Sequence, residues 1–286
     1  MTHSDGLHYE VFVSEPVPLH GEELIPNGEK PMFSPLAATL IHGQKQAVLV
    51  DPPITTQQAE AVGDWIVARG VELTYIYVTH GHGDHWFGAS VLARRFPGVE
   101  VLATAGTIQM MRIQGSAEYR ALLWDKWLPG QVPDTQVLAT APRDNTFEIE
   151  GHTFRAIEVG HSDTDDTTVL HVPSIGLVVA GDVIYNGVHQ FLTESAGDGI
   201  RSWLSAIDTV ENLAPRWIVA SHKDKLLDDT APRVLAETRR YLLDADRLLK
   251  TETTDLGFFT AMLELYPDRL NPGALWTGAR FLYQGR

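Results

Sequence analysis

One stretch constrains this chain more than any other: Thr79-His80-Gly81-His82-Gly83-Asp84-His85. Four metal-ligating side chains fall within six positions, with no spacer longer than one residue. The run before it, Leu73 to Val78, is apolar, β-branched and aromatic, and reads as a buried strand. A strand that runs directly into a His- and Gly-rich turn delivers imidazoles and a carboxylate to one sheet edge. Imidazole suits zinc, iron and copper, and a carboxylate in the same cluster permits a second, harder site. Gly81 and Gly83 let the backbone curl so that non-adjacent side chains converge. The plain alternative is a solvated, His-rich turn.

Three more apolar runs end on residues of the same chemistry: Thr153 to Val159 before Gly160-His161-Ser162, Val178-Val179-Ala180-Gly181 before Asp182, and Trp217 to Ala220 before Ser221-His222. The first cluster resembles the HxHxDH signature of the metallo-β-lactamase superfamily, and the later residues follow that superfamily's order of a lone His, a bridging Asp and a last His. The resemblance spans roughly residues 35 to 225 and rests on seven positions in four segments. It implies an α+β fold, a four-layer αββα sandwich of two mixed β-sheets flanked by helices, with the metal site at one sheet edge. It also implies two divalent metal ions, zinc in the first instance with iron or manganese as alternatives. By the resemblance His80, His82 and His161 hold one ion, Asp84, His85 and His222 hold the other, and Asp182 bridges them. Asp84 would also orient a metal-bridging hydroxide and shuttle its proton. Tyr185 matches a position that in the superfamily's quorum-sensing lactonases donates to the substrate carbonyl. Asp51 matches a carboxylate behind the ligands, of the kind that fixes the tautomer of a ligating histidine. Each residue has a plain alternative: His161 a surface histidine at a strand end, Asp182 a helix cap, His222 a solvated residue, Tyr185 a packed ring, Asp51 a turn residue before two prolines.

Length and charge agree with a soluble enzyme. The 286 residues, 44% hydrophobic, suffice for one large core and for a single domain over 1–286. The net charge of −15, from 22 basic and 37 acidic side chains, repels phosphate backbones, so no nucleic-acid partner is expected. The absence of Cys excludes disulfides, thiolate ligands and a Cys nucleophile. Met1 to Pro18 has no signal-peptide character and no stretch is long and apolar enough to span a bilayer, which gives a cytoplasmic expectation with no membrane partner.

Pattern predicts strands at Ala37 to Ile41 and Gln46 to Val50, a helix from Thr55 stopped by Gly70, a helix over Ala89 to Phe96, a strand over Val99 to Ala103, and a hairpin turning at Glu150-Gly151. Strands follow at Thr168 to Val172, Leu177 to Ala180 and Trp217 to Ala220, with a helix from about Ile200 to Leu213. Met1 to Pro18, with His3, His8 and His20 nearby, reads as unstructured. Two segments depart from a plain core. A helical insertion at about 105–135 carries Met110, Met111, Trp124 and Trp127, candidates for an apolar pocket wall or lid. A helical segment at about 230–286, broken at Pro272-Gly273, could be a homo-oligomer contact, a pocket wall or outer helices. His189 is a further pocket candidate.

The function these readings support is a metal-dependent hydrolase of a small-molecule ester, lactone, thioester or amide. Alternatives are a β-lactamase-type hydrolase, an iron-dependent thiol or persulfide dioxygenase, and a non-catalytic metal-binding protein. Asp182 stands where the resemblance gives true β-lactamases Cys or Ser, which favours the lactonase and thioesterase branches. Nuclease branches carry an extra domain and basic surfaces, and flavodiiron branches a flavin domain. The chain's length and charge fit neither.

Overall fold

In the computed structural model the described residues are 6–21 and 23–284; His3 lies outside them. Two sheets stack face to face. The first contains β1 (His8–Ser14), β2 (Leu36–His42), β3 (Gln46–Val50), β4 (Glu72–Tyr77), β5 (Glu100–Leu102), β10 (Tyr185–Asn186) and β12 (His222–Lys223). Its order is β10-β12-β2-β3-β4-β5, with β1 also paired to β2. The second contains β6 (Thr146–Ile149), β7 (His152–Gly160), β8 (Thr167–Val172), β9 (Leu177–Val179) and β11 (Trp217–Val219), in the order β11-β9-β8-β7-β6. Both are mixed: β3, β4 and β5 run parallel, as do β9 and β11, while β2–β3 and β6 to β9 are antiparallel.

The period-two alternation of side chains separates the layers. Ile41, Val48, Val50 and Tyr77 point from the first sheet into a core shared with Leu170, Val172, Leu177 and Val179 of the second. Their neighbours Leu40, Leu49 and Ile76 point outward, against α1 (Thr56–Arg69) and α2 (Ala89–Arg95). On the far side, Val169, Val178 and Ile218 meet α6 (Gly199–Asn212), α7 (Ala231–Thr251), α8 (Asp255–Leu265) and α9 (Pro272–Leu282). Strands buried on both faces need apolar residues at both parities, which is why β2, β3 and β9 read as continuous apolar runs. The result is the expected αββα sandwich.

Local signals set the element ends. Thr55 caps α1 through a reciprocal pair with Gln58, and Gly70 closes it in the left-handed region at φ 68°. At the β6–β7 turn both Glu150 and Gly151 have positive φ, 49° and 79°. The insertion comprises α3 (Ala105–Gln114), then α4 (Ala117–Tyr119), a π-helical turn (Arg120–Trp124) and α5 (Asp125–Trp127). Among the described residues, no helix is long and apolar enough to cross a membrane.

Two expectations change. Among the described residues of the start, His8 opens β1, which pairs with β2 along its whole length; residues 1–5 lie outside the described residues. Pro272 does not break a helix but begins one, at the first position of α9, where its missing N–H is not needed; Asn271 caps that helix by accepting from Ala274 N.

Candidate functional site

Five strand ends meet at one edge of the sandwich. Asp51 follows β3, the His80–His85 turn follows β4, Ser162-Asp163-Thr164 follows β7, Asp182 follows β9, and His222 follows β11 at the head of β12. Both sheets contribute, which is why residues so far apart in sequence converge. The turn glycines serve a purpose other than the one expected. Neither has positive φ; instead a Cβ at Gly81 would lie 2.3 Å from Met110 Cβ, and one at Gly83 would lie 2.4 Å from the Phe87 ring. Their role is close approach of the turn to the elements beneath it.

Among the described residues, three groups could hold a metal ion: His80, His82 and Asp163; His80, His85 and Asp182; and Asp84, His85 and His222. All seven residues are buried. Asp163 Oδ2 lies 3.0 Å from His82 Nδ1 and 3.7 Å from His80 Nε2. Asp84 Oδ2 lies 3.2 Å from His85 Nε2 and 3.3 Å from His222 Nε2. Asp182 sits between, with Oδ1 3.6 Å from His85 Nε2 and Oδ2 3.2 Å from His222 Nε2.

The structure therefore parts from the sequence reading at His161. That imidazole is not grouped with the others; it pairs through Nδ1 with Asp165 Oδ1 at 2.7 Å, while its Nε2, buried without a hydrogen-bond partner, lies near Gly199 at the start of α6. The cause is local. The β7–β8 register shifts between Glu158 and Gly160, and Gly160 is left-handed at φ 82°. The chain turns before His161 and presents Asp163, two residues on, to His80 and His82. Its only sequence signal is a carboxylate between two hydroxyl residues in an acidic turn, where every position from Ser162 to Thr167 is polar and none stands out.

Around this cluster the other ring nitrogens are held. Asp51 Oδ2 faces His85 Nδ1 at 3.1 Å and accepts from the Thr79 and Ser221 hydroxyls, while Oδ1 accepts from Thr79 N at 2.9 Å. His222 Nδ1 lies 3.1 Å from Pro35 O. His82 Nε2 lies 3.2 Å from Glu194 Oε1, and Glu194 Oε2 accepts from Thr164 Oγ1 at 2.8 Å. Glu194 escaped the sequence reading because it sits in an aperiodic loop. Tyr185 Oη donates to Asp182 Oδ2 at 2.7 Å, so the phenol is committed to a carboxylate rather than free in the cavity.

Within the seven-residue cluster, His80 Nε2, His85 Nε2, Asp163 Oδ2 and Asp182 Oδ1 are buried without a hydrogen-bond partner. Orphaned buried polar atoms are rare and costly, and these all point into one small space. The electrostatics favour positive charge there. Burial opposes protonation of His222, yet Asp182 and Asp84 raise it to about 10. Burial likewise opposes charge on His85, which Asp84 and Asp182 still hold well above the usual histidine range. His80 is the exception: burial, then His85, lowers it to about 3. Burial and the adjacent Asp182 push the Tyr185 phenol far up, which keeps it a donor.

The cluster floors a cavity of about 290 Å³. Leu123, Trp124 and Trp127 of the insertion form one wall, Met32 and Phe33 another, and Thr277 and Phe281 of α9 a third. Trp124 is anchored by its indole N–H to Gln114 Oε1 at 2.9 Å. Met110, Met111 and His189 do not line the cavity. Met111 is fully buried beneath the turn with Trp86 and Phe87, Met110 backs Gly81, and His189 is buried beside Tyr241, whose hydroxyl lies 3.0 Å from Nδ1.

The sequence profile of the metallo-beta-lactamase superfamily matches residues 33–222 of the 286. The chain belongs to the metallo-beta-lactamase superfamily. A metallo-beta-lactamase type 2 of Bacteroides fragilis is 22% identical over 193 residues, 66% of this chain and 70% of its own length. A hydroxyacylglutathione hydrolase of Synechococcus sp. (strain CC9902) is 42% identical over 69 residues, and the chain spans only 25% of that relative's length. Among solved structures, a metallo-beta-lactamase family protein of Thermus thermophilus matches with a TM-score of 0.63 at 18% identity, covering 96% of this chain and 92% of its own. The FIM-1 metallo-beta-lactamase of Pseudomonas aeruginosa, in a mono-zinc form, matches with a TM-score of 0.57 at 16% identity, covering 85% and 93%. All of the strand-end clusters apart from His222 and its neighbours lie well inside the matched span, and His222 is its last residue.

Proposed function

We propose that this protein is a dinuclear metallohydrolase of a small acyl substrate, an ester, lactone or thioester. The carrying observation is the set of buried, unpartnered imidazole and carboxylate atoms that converge on the cavity floor. The donors fit the group: nitrogen and carboxylate oxygen suit zinc, and the carboxylate share also admits iron or manganese. His80, His82 and Asp163 would hold one ion, Asp84, His85 and His222 the other, with Asp182 shared. Bound ions of this kind bring the pKa of water towards neutrality and polarise a carbonyl.

The chain's own residues do the rest. Asp84 borders the cavity, where a proton released from water can be received. Burial disfavours its charged form, but His85 and His222 hold its carboxyl well below the usual carboxylate range, so it stays an acceptor. Asp51, with its four donors, fixes the His85 ring and the turn that carries it. The aromatic walls exclude water from the reacting carbonyl. The hydrolase reading is supported by the named relatives, which include a hydrolase of an acyl thioester.

Elemental analysis together with a hydrolysis panel tests the proposal. About two ions per chain are expected, with turnover of aryl esters, lactones or thioesters and no oxygen uptake. One tightly bound ion with full activity would remove the dinuclear assignment. Oxygen consumption with a thiol substrate would replace hydrolysis with an iron-dependent oxidation.

Two variants follow from the walls and the floor. Trp127 is half-buried, so Trp127→Ala should raise KM or change substrate preference while metal content holds. Trp124→Ala should also cost stability, about 3–5 kcal/mol, because its ring is only 3% exposed. Unchanged kinetics in a folded Trp127→Ala protein would make that wall mere packing. Tyr185→Phe removes one hydroxyl and keeps the ring. Because that hydroxyl grips Asp182, metal affinity should fall by about 10–100-fold, and kcat with it. A fall in kcat near 10²-fold at full metal occupancy would instead make the phenol a donor to the substrate oxyanion.

A further inference from the structure

We infer that the cavity selects an acyl substrate with an uncharged, apolar body and discriminates against bodies that carry a carboxylate, glutathione thioesters included. The inference rests on the metallohydrolase reading and narrows its substrate class.

Among the described residues, no Lys or Arg lines the cavity. Its carboxylates and imidazoles, Asp84, Asp163, Asp182, Glu194, His82 and His222, lie at the floor, where they face one another. Above the floor the walls are aromatic and aliphatic, with Ser34, Tyr119, Thr193, Asn271 and Thr277 as neutral polar groups.

Three cations close in sequence to wall residues are engaged elsewhere, while Lys30, Lys126 and Arg280, near Met32, Trp127 and Phe281, are exposed and do not line the cavity. Arg120, next to Tyr119, pairs with Asp125 Oδ1 at 2.9 Å, donates to Pro133 O at 2.9 Å and lies over the Phe87 ring. Lys223, next to His222, is held by Asp229 Oδ1 at 2.5 Å. Arg269, two residues before Asn271, donates to Val188 O at 2.8 Å and stacks on Tyr241 and Tyr266. None of Arg120, Lys223 and Arg269 is free to meet a carboxylate on a substrate's body. A net charge of −15 over the chain repels anions further.

A buried anion without a partner is strongly disfavoured, whereas apolar groups gain from these walls. The size is suited to a compact ligand, since about 290 Å³ is at the lower end of small-molecule sites. The short stretch of 42% identity to a hydroxyacylglutathione hydrolase therefore does not carry that relative's substrate with it. Glutathione bears two carboxylates, and these walls offer them no cation.

The test uses the zinc-loaded full chain and matched substrates. Para-nitrophenyl hexanoate is compared with the mono-para-nitrophenyl ester of adipic acid, which adds a terminal carboxylate. S-phenyl thiohexanoate is compared with its own carboxylate counterpart, so that charge is separated from the leaving atom. The neutral member of each pair should be preferred on the order of 10²-fold in kcat/KM, mainly through KM. Thr277→Lys, which places a cation on the wall, should narrow that ratio. Equal rates within both pairs, or preference for the anions, would overturn the inference and leave the hydrolase reading intact.

Hydrolysis of none of the four would defeat the hydrolase reading, and binding then decides the charge preference. N-phenyl-naphthylamine and anilinonaphthalene sulfonate share a ring system and differ by one sulfonate. The neutral probe should bind at least tenfold more tightly, and Phe281→Arg should abolish the difference. Tighter binding of the sulfonate to the unaltered protein would overturn the inference.

Discussion

Asp163→Ala should strip one metal ion from the protein, while His161→Ala should leave both in place. The two residues stand two positions apart in one polar turn; family order points to His161, and the geometry groups Asp163 with His80 and His82. Asp163 is fully buried with Oδ2 against His82 Nδ1, whereas His161 spends its Nδ1 on an exposed carboxylate, Asp165. Changes to residues merely behind a ligand cost about 10–100-fold in metal affinity, so loss of a ligand itself should exceed roughly 100-fold. Dialysis against metal-free buffer followed by elemental analysis should then find about one ion in Asp163→Ala. Its kcat/KM should fall by at least about 100-fold, and that of His161→Ala by no more than about threefold. A buried carboxylate replaced by Ala also removes the partner that holds His82 charged. Only Glu194 would then oppose burial, so that imidazole should shift towards its neutral form. The reverse outcome, with metal lost from His161→Ala and retained in Asp163→Ala, would restore His161 as the ligand.

The contrast between these two residues marks what the sequence could and could not disclose. Elements with a strong period and a physical stop were legible: β2 and β3 with their shared turn, α1 between Thr55 and Gly70, and the β6–β7 hairpin with two left-handed turn residues. The His80–His85 turn was legible because its ligands are contiguous and follow an apolar strand. The short strands β10 and β12 were not. Two residues each have no period, and their pairing is imposed by the edge of a sheet already formed. The grouping of Asp163 rather than His161 with His80 and His82 has a related cause. A register shift and one left-handed glycine move the inward direction by two residues, and neither is encoded in residue type alone. The cavity walls were half legible. Trp124 and Trp127 announced themselves as large apolar residues in an insertion, but Met32, Phe33 and Phe281 reach the cavity only through tertiary packing of segments remote in sequence. Met110 and Met111 share α3 with each other and not with the cavity, because the turn glycines draw that helix beneath the metal turn.

The largest loss of function should follow Asp182→Ala. Asp182 does three things at once. Its Oδ2 receives the Tyr185 hydroxyl at 2.7 Å and faces His222 Nε2, while its Oδ1 is buried without a hydrogen-bond partner and faces His85. No other carboxylate in the cluster touches both the His85 and His222 imidazoles while also grouping with His80. Asp84 reaches the first two only. Removing Asp182 therefore weakens both candidate metal positions together, and kcat/KM should fall beyond the roughly 100-fold expected for a ligand to one of them. A second readout needs no substrate. Ions that bind the folded chain and not the unfolded one raise its melting temperature, by an amount set by their affinity. In the unaltered protein a chelator should lower Tm by several degrees. In Asp182→Ala that gap should shrink towards zero, because little metal remains to be removed. The sign is independent of whatever the substitution does to the metal-free protein, since each variant is compared with itself. A full chelator-dependent gap in Asp182→Ala, with two ions still bound, would show that the shared position belongs to another residue.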